Sequence, residues 1–510
     1  MYPPPPQVAG RPHLRRIDVG LREHPAAEQD GNLLRVNLVI LGLASMNGLH
    51  REGMSKDKRK AFSGAEVGQP VPGEDAFDTD DQILPVGRDR LEKGLWASGH
   101  IPVYQDLAIP IQEAAVAWLT GSPAQADVVT DWNITAGEIA VAARLSPPPT
   151  YRIMALVQSA VYEAVNAITK RDPSERVQLD GASGASIDAA VAEANRATLV
   201  QLVPAQHPAI DKAYQAALAA IPAGSEKTAG LAVGAKAAAV ILAWGAEDGA
   251  ATGETYRPHT TAGVYVPTVI PVVSQWPQRK PWLMTSPAQF RPGPPPALTS
   301  EVQARDYNEI KAIGEKQSTR RTTEQTAIAR FWEASMPPIY HGVVRSIATM
   351  AGREVTQNAR LFAAVTQASD DALIAVMDAK YHYHFWRPVT AIRNGDIDGN
   401  DATEREPSWT PFIDTPMHPE YPCAHCIVSG AVGTVLQAEI GTSPLPTLTT
   451  TSVTAQGAAR SWSTIDDFMQ EVAQARIYDG VHYRHSTVVG TAMGKQVGAL
   501  AVAKYLRSSK

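Results

Sequence analysis

Three short segments in the last third of the chain carry side chains suited to an oxyanion: residues 380–388 (KYHYHFWRP), 422–425 (PCAH) and 476–482 (RIYDGVH). Lys380 and Arg387 are seven residues apart. On a single helix that is two turns, so both would share one face about 10 Å apart. Pro388 would end or kink that helix just past the arginine. A guanidinium binds an oxyanion through paired donors, and an ammonium acts as a point charge. The PCAH segment precedes the apolar residues 427–436 and reads as a loop leading into a helix. Backbone N–H groups at a helix start favour an anion, and His425 on the first turn suits a general acid or base. Arg476 and His482 are six apart, which is not one face of an unbroken helix. Gly480 between them lets the backbone bend so that both face one pocket. His485 lies one turn beyond His482, and Ser486 adjoins it.

Taken singly, these segments read better as a solvated basic edge, a helix-capping histidine and a polar helix start. Together they supply two arginines, a lysine and two histidines. That set suits a tetrahedral oxyanion, phosphate or vanadate, with an imidazole bonded to its centre. Cys423 and Cys426 are the chain's two cysteines and form a Cys-x-x-Cys. A thioredoxin-like dithiol needs a βαβ context, and the surroundings read as helical. A local disulfide or two inert thiols fits better, and no second cysteine pair exists to complete a structural zinc site.

The elements that must position these groups are helices. Residues 151–168 place Met154, Val157, Val161, Val165 and Ile168 on one face, with Pro147 to Pro149 as the break before it. Residues 186–203 and 225–247 are Ala-rich and read as further helices. Residues 251–298 hold Trp276, Trp282 and many prolines, and read as a long extended connection over the bundle surface. Ser300 and Gln303 read as a capping box opening a helix. Helices are expected at about 323–335, 339–351 and 356–383. The fold class is all-α: two four-helix bundles side by side, with long irregular connections and the site in the C-terminal bundle.

Residues 1–126 have weak periodicity and read as a loosely ordered extension. Within them, residues 114–120 precede an A-x-A at 124–126, the shape of an export-signal end without its basic flank. A periplasmic or secreted location would follow if that reading holds; a surface helix fits the same residues. The ordered domain is expected over 127–510. The net charge of −6 argues against a nucleic-acid protein. No unbroken apolar run reaches the roughly 18 residues of a membrane span.

On Lys380, Arg387 and Pro388, then PCAH, then Arg476, Gly480 and His482, the chain resembles the vanadium-dependent haloperoxidases and the related type 2 phosphatidic acid phosphatases. The family pattern is K-x6-R-P, P-S-G-H and S-R-x3-G-x-H-x3-D. The resemblance covers about 127–510. It implies vanadate on His482 as axial ligand, or a phosphohistidine there in a phosphatase. It also implies Lys380, Arg387 and Arg476 on the equatorial oxygens, and His425 as acid–base residue. Cys423 and the Ala424 backbone N–H would take the places of the family serine and glycine. Trp386 looks haloperoxidase-like, and His418 lies in the region that helps shape halide preference, where a histidine looks more bromoperoxidase-like. The implied partners are hydrogen peroxide, halide and a small organic acceptor, or a phosphomonoester, on a chain that could be a homo-oligomer. Four positions depart from the pattern: Cys423, Ala424, Ala475 and Ser486, the last standing where the family has aspartate. A third reading, an oxyanion-binding scaffold without catalysis, follows from those departures.

Overall fold

The computed structural model describes residues 127–173 and 182–506. The readings of 1–126, including the export-signal reading, lie outside the described residues. Among the described residues are thirteen α-helices and one short hairpin. The helices are α1 (Val128–Ala142), α2 (Pro147–Thr169), α3 (Ile187–Leu202), α4 (His207–Ala219), α5 (Ser225–Ala246), α6 (Glu301–Ile313), α7 (Thr323–Trp332), α8 (Pro337–Ala348), α9 (Val355–Tyr383), α10 (Pro388–Arg393), α11 (Ala424–Ile440), α12 (Ile465–Tyr478) and α13 (Arg484–Tyr505). Strands β1 (Leu448–Thr451) and β2 (Ala459–Trp462) pair antiparallel between α11 and α12. Sequence periodicity did not reveal the hairpin; Thr449 and Ser461 face one another across it, with their hydroxyls 2.9 Å apart.

Helices α2, α3 and α5 pack together, and α9 packs against α2. On its other side α9 meets α11 and α13, with α12 completing that group. The two bundles therefore share α9, and one apolar core runs through both. Several helix starts are set by local chemistry. Asp127 caps α1 by accepting the Thr130 N–H, and Thr322–Gln325 and Glu354–Gln357 form full capping boxes. Ser300 accepts the Gln303 N–H and caps α6. Pro147 to Pro149 are not a break before α2 but its first turn. First-turn N–H groups have no partner within the helix, so proline costs nothing there. One helix, α5, is long and apolar enough to cross a bilayer by length and composition, a case missed by counting unbroken runs because Lys236 interrupts it. Here it packs on α3, with Gly230 and Gly234 set against that helix's backbone.

The 251–298 connection is not merely laid over the surface. Trp276, Trp282 and Met284 are buried, and so is Arg279. The Arg279 guanidinium donates to Asp370 Oδ1 at 2.6 Å and to Asp248 Oδ2 at 2.7 Å. Asp371 accepts the backbone N–H groups of Trp282, Leu283 and Met284. A buried carboxylate needs such partners, and α9 supplies both acids from its middle. The connection also reaches the site: Trp386 N–H donates to Gly263 O, and Tyr265 N–H donates to His384 O.

Helices α11 and α13 make the closest crossing. A Cβ on Gly490 would lie 2.6 Å from the Cys423 carbonyl oxygen, and one on Gly498 would lie 2.7 Å from that of Ala431. A Cβ on Gly494 would collide with the Ile427 carbonyl. These glycines are four residues apart and form one stripe. Gly494→Ala is expected to lower stability by about 1–3 kcal/mol, because backbone would have to move. Urea unfolding measured by circular dichroism checks this; an unchanged midpoint would contradict the crossing.

His341 on α8 is 1% exposed, and its Nδ1 accepts from the Asn133 amide at 3.2 Å. Burial, with Arg345 nearby, pulls its pKa down to about 3. The unfolded imidazole takes up a proton below pH ~6.5, while the folded one resists until about pH 3. The unfolded state thus binds more protons in that window, and stability falls as pH drops through it. Between pH 7 and pH 3 this group alone accounts for a loss on the order of 4 kcal/mol. In His341→Phe the fall in Tm on acidification should be visibly shallower than in wild type.

Candidate functional site: a buried cationic pocket

Lys380 sits on the last turn of α9 and is fully buried. Its ammonium donates to the carbonyls of Pro419 (2.9 Å) and Glu420 (2.7 Å), fixing the loop ahead of α11. The expectation that Lys380 and Arg387 share one helix is not met. Helix α9 stops at Tyr383, because His384 turns left-handed (φ 52°). Arg387 is extended and caps α10, whose first residue is Pro388. Proline therefore opens a helix here rather than closing one. The two cations still meet, since Arg387 is among the charges that hold the Lys380 ammonium well below its ordinary pKa, after burial itself.

Arg387 is 1% exposed. Its Nε donates to His418 O (2.9 Å) and its Nη2 to His418 Nδ1 (3.0 Å). Its Nη1 donates to Val481 O (2.8 Å) and to His482 Nε2 (3.2 Å). His418 is therefore a clamp on Arg387, half-buried in the pocket wall. Trp386 is buried in an aromatic cluster with Tyr307, Phe385 and Tyr483, and its indole N–H has no protein partner.

The third segment bends as its glycine implies. Helix α12 ends at Tyr478, and Gly480 takes φ 78°. A Cβ there would lie 2.9 Å from Pro411 Cβ. The turn returns the His482 N–H to the Arg476 carbonyl (3.2 Å), and the Arg476 charge is among those that act on the His482 ring. Arg476 Nη1 pairs with Asp479 at 2.6 Å, and its Nε has no protein partner. His485 turns elsewhere. Its Nδ1 lies 2.9 Å from Asp306, and it lines a separate cleft of about 670 Å³ with Arg305, Glu309 and Arg484.

The residue that sequence reasoning missed is Glu420. It is fully buried, and its Oε1 accepts from His482 Nδ1 (2.8 Å) and from the Tyr483 N–H (3.0 Å). Ser486, at the position of the family aspartate, is 3.5 Å from the same Nδ1, at the limit of a hydrogen bond. Glu420 thus supplies from another loop the carboxylate that Ser486 lacks. Its place two residues before the PCAH proline was the one local hint in the sequence. With Nδ1 donating to Glu420, Nε2 carries the lone pair and faces Arg387. Burial and the charges of Arg387, Lys380 and Arg476 push the His482 pKa well below its usual value, so the ring is neutral.

The PCAH segment enters α11 as expected. Cys423 is the N-cap and its Sγ accepts the Cys426 N–H at 3.3 Å. Ala424 and His425 occupy the first turn and are half-buried. The His425 Nε2 has no protein partner, and burial and Arg476 lower its pKa well below the usual imidazole value. Both cysteines are free thiols, so the disulfide alternative is not adopted. Among the described residues no group of three His, Cys, Asp or Glu side chains is placed to hold a metal ion.

Three buried cations, Lys380, Arg387 and Arg476, therefore face two buried carboxylates, Glu420 and Asp479. The unpartnered Arg476 Nε and His425 Nε2 offer an anion polar contacts. This donor set fits an oxyanion with a single imidazole on its central atom.

The comparisons with known proteins agree. The profile of the VCPO second helical-bundle domain matches residues 360–509, which contain all three segments. The chain is 31% identical over 172 residues to a vanadium chloroperoxidase of Curvularia inaequalis, and the match covers 27% of this chain and 28% of that protein. Its fold is similar to that of a bacterial vanadium-dependent iodoperoxidase (TM-score 0.64, 24% identity, 75% of this chain and 98% of the other). It is also similar to a bacterial vanadium-dependent chloroperoxidase in its holo form (TM-score 0.57, 17% identity, 77% and 97%).

Proposed function

We propose that the pocket holds vanadate and oxidises halide with hydrogen peroxide, passing the oxidised halogen to a small organic acceptor. The observation that carries this reading is the neutral His482 Nε2, aimed into three buried cations and locked from behind by Glu420. Vanadate, when bound, supplies a Lewis acid that makes peroxide electrophilic toward halide without changing its own oxidation state.

The chain's residues do the rest. His482 Nε2 would bond the central atom of the anion. Lys380, Arg387 and Arg476 would bind its oxygens and offset their charge. The N–H groups at the start of α11, with Ala424 first, face the same anion. His425, neutral and with a free Nε2, takes a proton from the incoming peroxide. Trp386 and His418 are the residues proposed to face the halide, His418 through its hold on Arg387. The alternative is an acid phosphatase, in which His482 attacks the phosphorus of a phosphomonoester and His425 protonates the leaving group. Lys380, Arg387, His425, Arg476 and His482 serve both chemistries.

Equilibrium vanadate binding, followed by two assays on the same preparation, separates them. Halogenation of a phenolic dye is expected with vanadate, peroxide and at least one of chloride, bromide or iodide. Silence with all three halides while vanadate is bound would reject the haloperoxidase. Phosphomonoester turnover that vanadate inhibits would then favour the phosphatase.

A further inference from the structure

Cys423 and Cys426 lie within the pocket wall, and the proposed chemistry uses neither thiol as a reactant. Both are fully buried and free. Their sulfurs are in direct contact at the start of α11. Cys423 Sγ also accepts the Cys426 N–H at 3.3 Å. Neither residue has room to retreat: α13 is pressed on them, and a Cβ on Gly490 would lie 3.2 Å from Cys426 Cβ and 2.6 Å from Cys423 O. Ala424 and His425 between them are half-buried, so solvent reaches the turn that holds the pair.

We propose that Cys423 and Cys426 are a peroxide-reactive dithiol that closes to a disulfide within the oxyanion pocket. Cys423 is the nucleophile. Its sulfur attacks one oxygen of hydrogen peroxide, the O–O bond breaks, and hydroxide leaves. The product is a sulfenic acid at Cys423, with sulfur oxidised and peroxide reduced. Cys426 then attacks that sulfur, an S–S bond forms, the S–O bond breaks, and water leaves with the Cys426 proton. Two thiols and one peroxide become one disulfide and two waters. The electrostatics fit this division of labour. Burial alone would raise the Cys423 thiol, but the Cys426 hydrogen bonds, Arg476 and Lys380 bring it below its ordinary value. Cys426 is held up by burial and by Cys423, so it keeps its proton until it is needed. Peroxide takes a thiolate on to irreversible sulfinic and sulfonic acids unless a second thiol intervenes, and Cys426 is in place to do so.

Only the arrival of peroxide rests on the proposed function, and the readout is independent of halogenation. Reduced full-length protein is exposed to hydrogen peroxide, quenched with catalase, denatured, alkylated and digested for mass spectrometry. Both cysteines are expected to escape alkylation together in one peptide lighter by two hydrogens, and dithiothreitol should restore both. In Cys426→Ser, dimedone should label Cys423, and irreversibly oxidised Cys423 should exceed the wild-type amount by at least about tenfold. Three results would overturn the proposal: both thiols still alkylated in wild type, equal irreversible oxidation in wild type and variant, or a disulfide only between chains. Halogenation failing while the disulfide forms would reject the haloperoxidase reading alone.

Discussion

His482→Ala is expected to abolish tight vanadate binding and to reduce turnover by at least about 10³-fold in whichever assay wild type passes. The reason is geometric. Three cations can attract a tetrahedral anion, but only Nε2 offers a lone pair at its centre. In the variant, Arg387 Nη1 loses one acceptor yet keeps Val481 O at 2.8 Å, so the pocket wall should hold. Weak anion binding should therefore survive through Lys380, Arg387 and Arg476. Vanadate titration followed by fluorescence, alongside circular dichroism, tests both halves. A variant that keeps wild-type affinity would show that the anion sits elsewhere.

The second expected effect concerns Glu420. Glu420→Ala should weaken vanadate binding by about 10- to 100-fold, the usual cost of removing the partner that orients a ligating histidine. It removes the acceptor of His482 Nδ1–H and of the Tyr483 N–H together. It also frees the imidazole to place its proton on Nε2, where no lone pair would remain for the anion. Glu420→Gln should lose less, because its amide oxygen still accepts from Nδ1. The decisive comparison is with Ser486→Asp in the Glu420→Ala background. Ser486 Oγ is already 3.5 Å from Nδ1, and a carboxylate there should restore part of the affinity. No rescue, with Glu420→Ala equal to wild type, would remove Glu420 from the site.

The three cationic segments were legible because charge, spacing and a single glycine carry their own chemistry. Gly480 implied the bend, and the bend is there. What escaped was decided by contacts between distant parts of the chain. Nothing local says that α9 ends at His384, since a left-handed histidine depends on the 263–265 backbone, which hydrogen-bonds to His384 and Trp386. Glu420 is 62 residues from its histidine, so spacing could not pair them. The connection at 251–298 read as surface because its prolines are visible in sequence, while its anchors, Asp370 and Asp371, are buried in the middle of α9. The helices read at 151–168, 186–203, 225–247, 323–335, 339–351 and 356–383 are present, whereas α1, α4 and α12 were not anticipated. The proline-rich start of α2 was misplaced because proline both ends and begins helices.

The stripe of Gly490, Gly494 and Gly498 fixes more than a helix crossing. Helix α13 begins just past His482, and α11 carries His425 on its first turn. The spacing of these two imidazoles is thus gauged by peptide groups touching peptide groups, where there is no rotamer to flip and little to compress. Substitutions in the surrounding core can accumulate without detuning the pocket, whereas a single methyl group in this seam would pry its two halves apart.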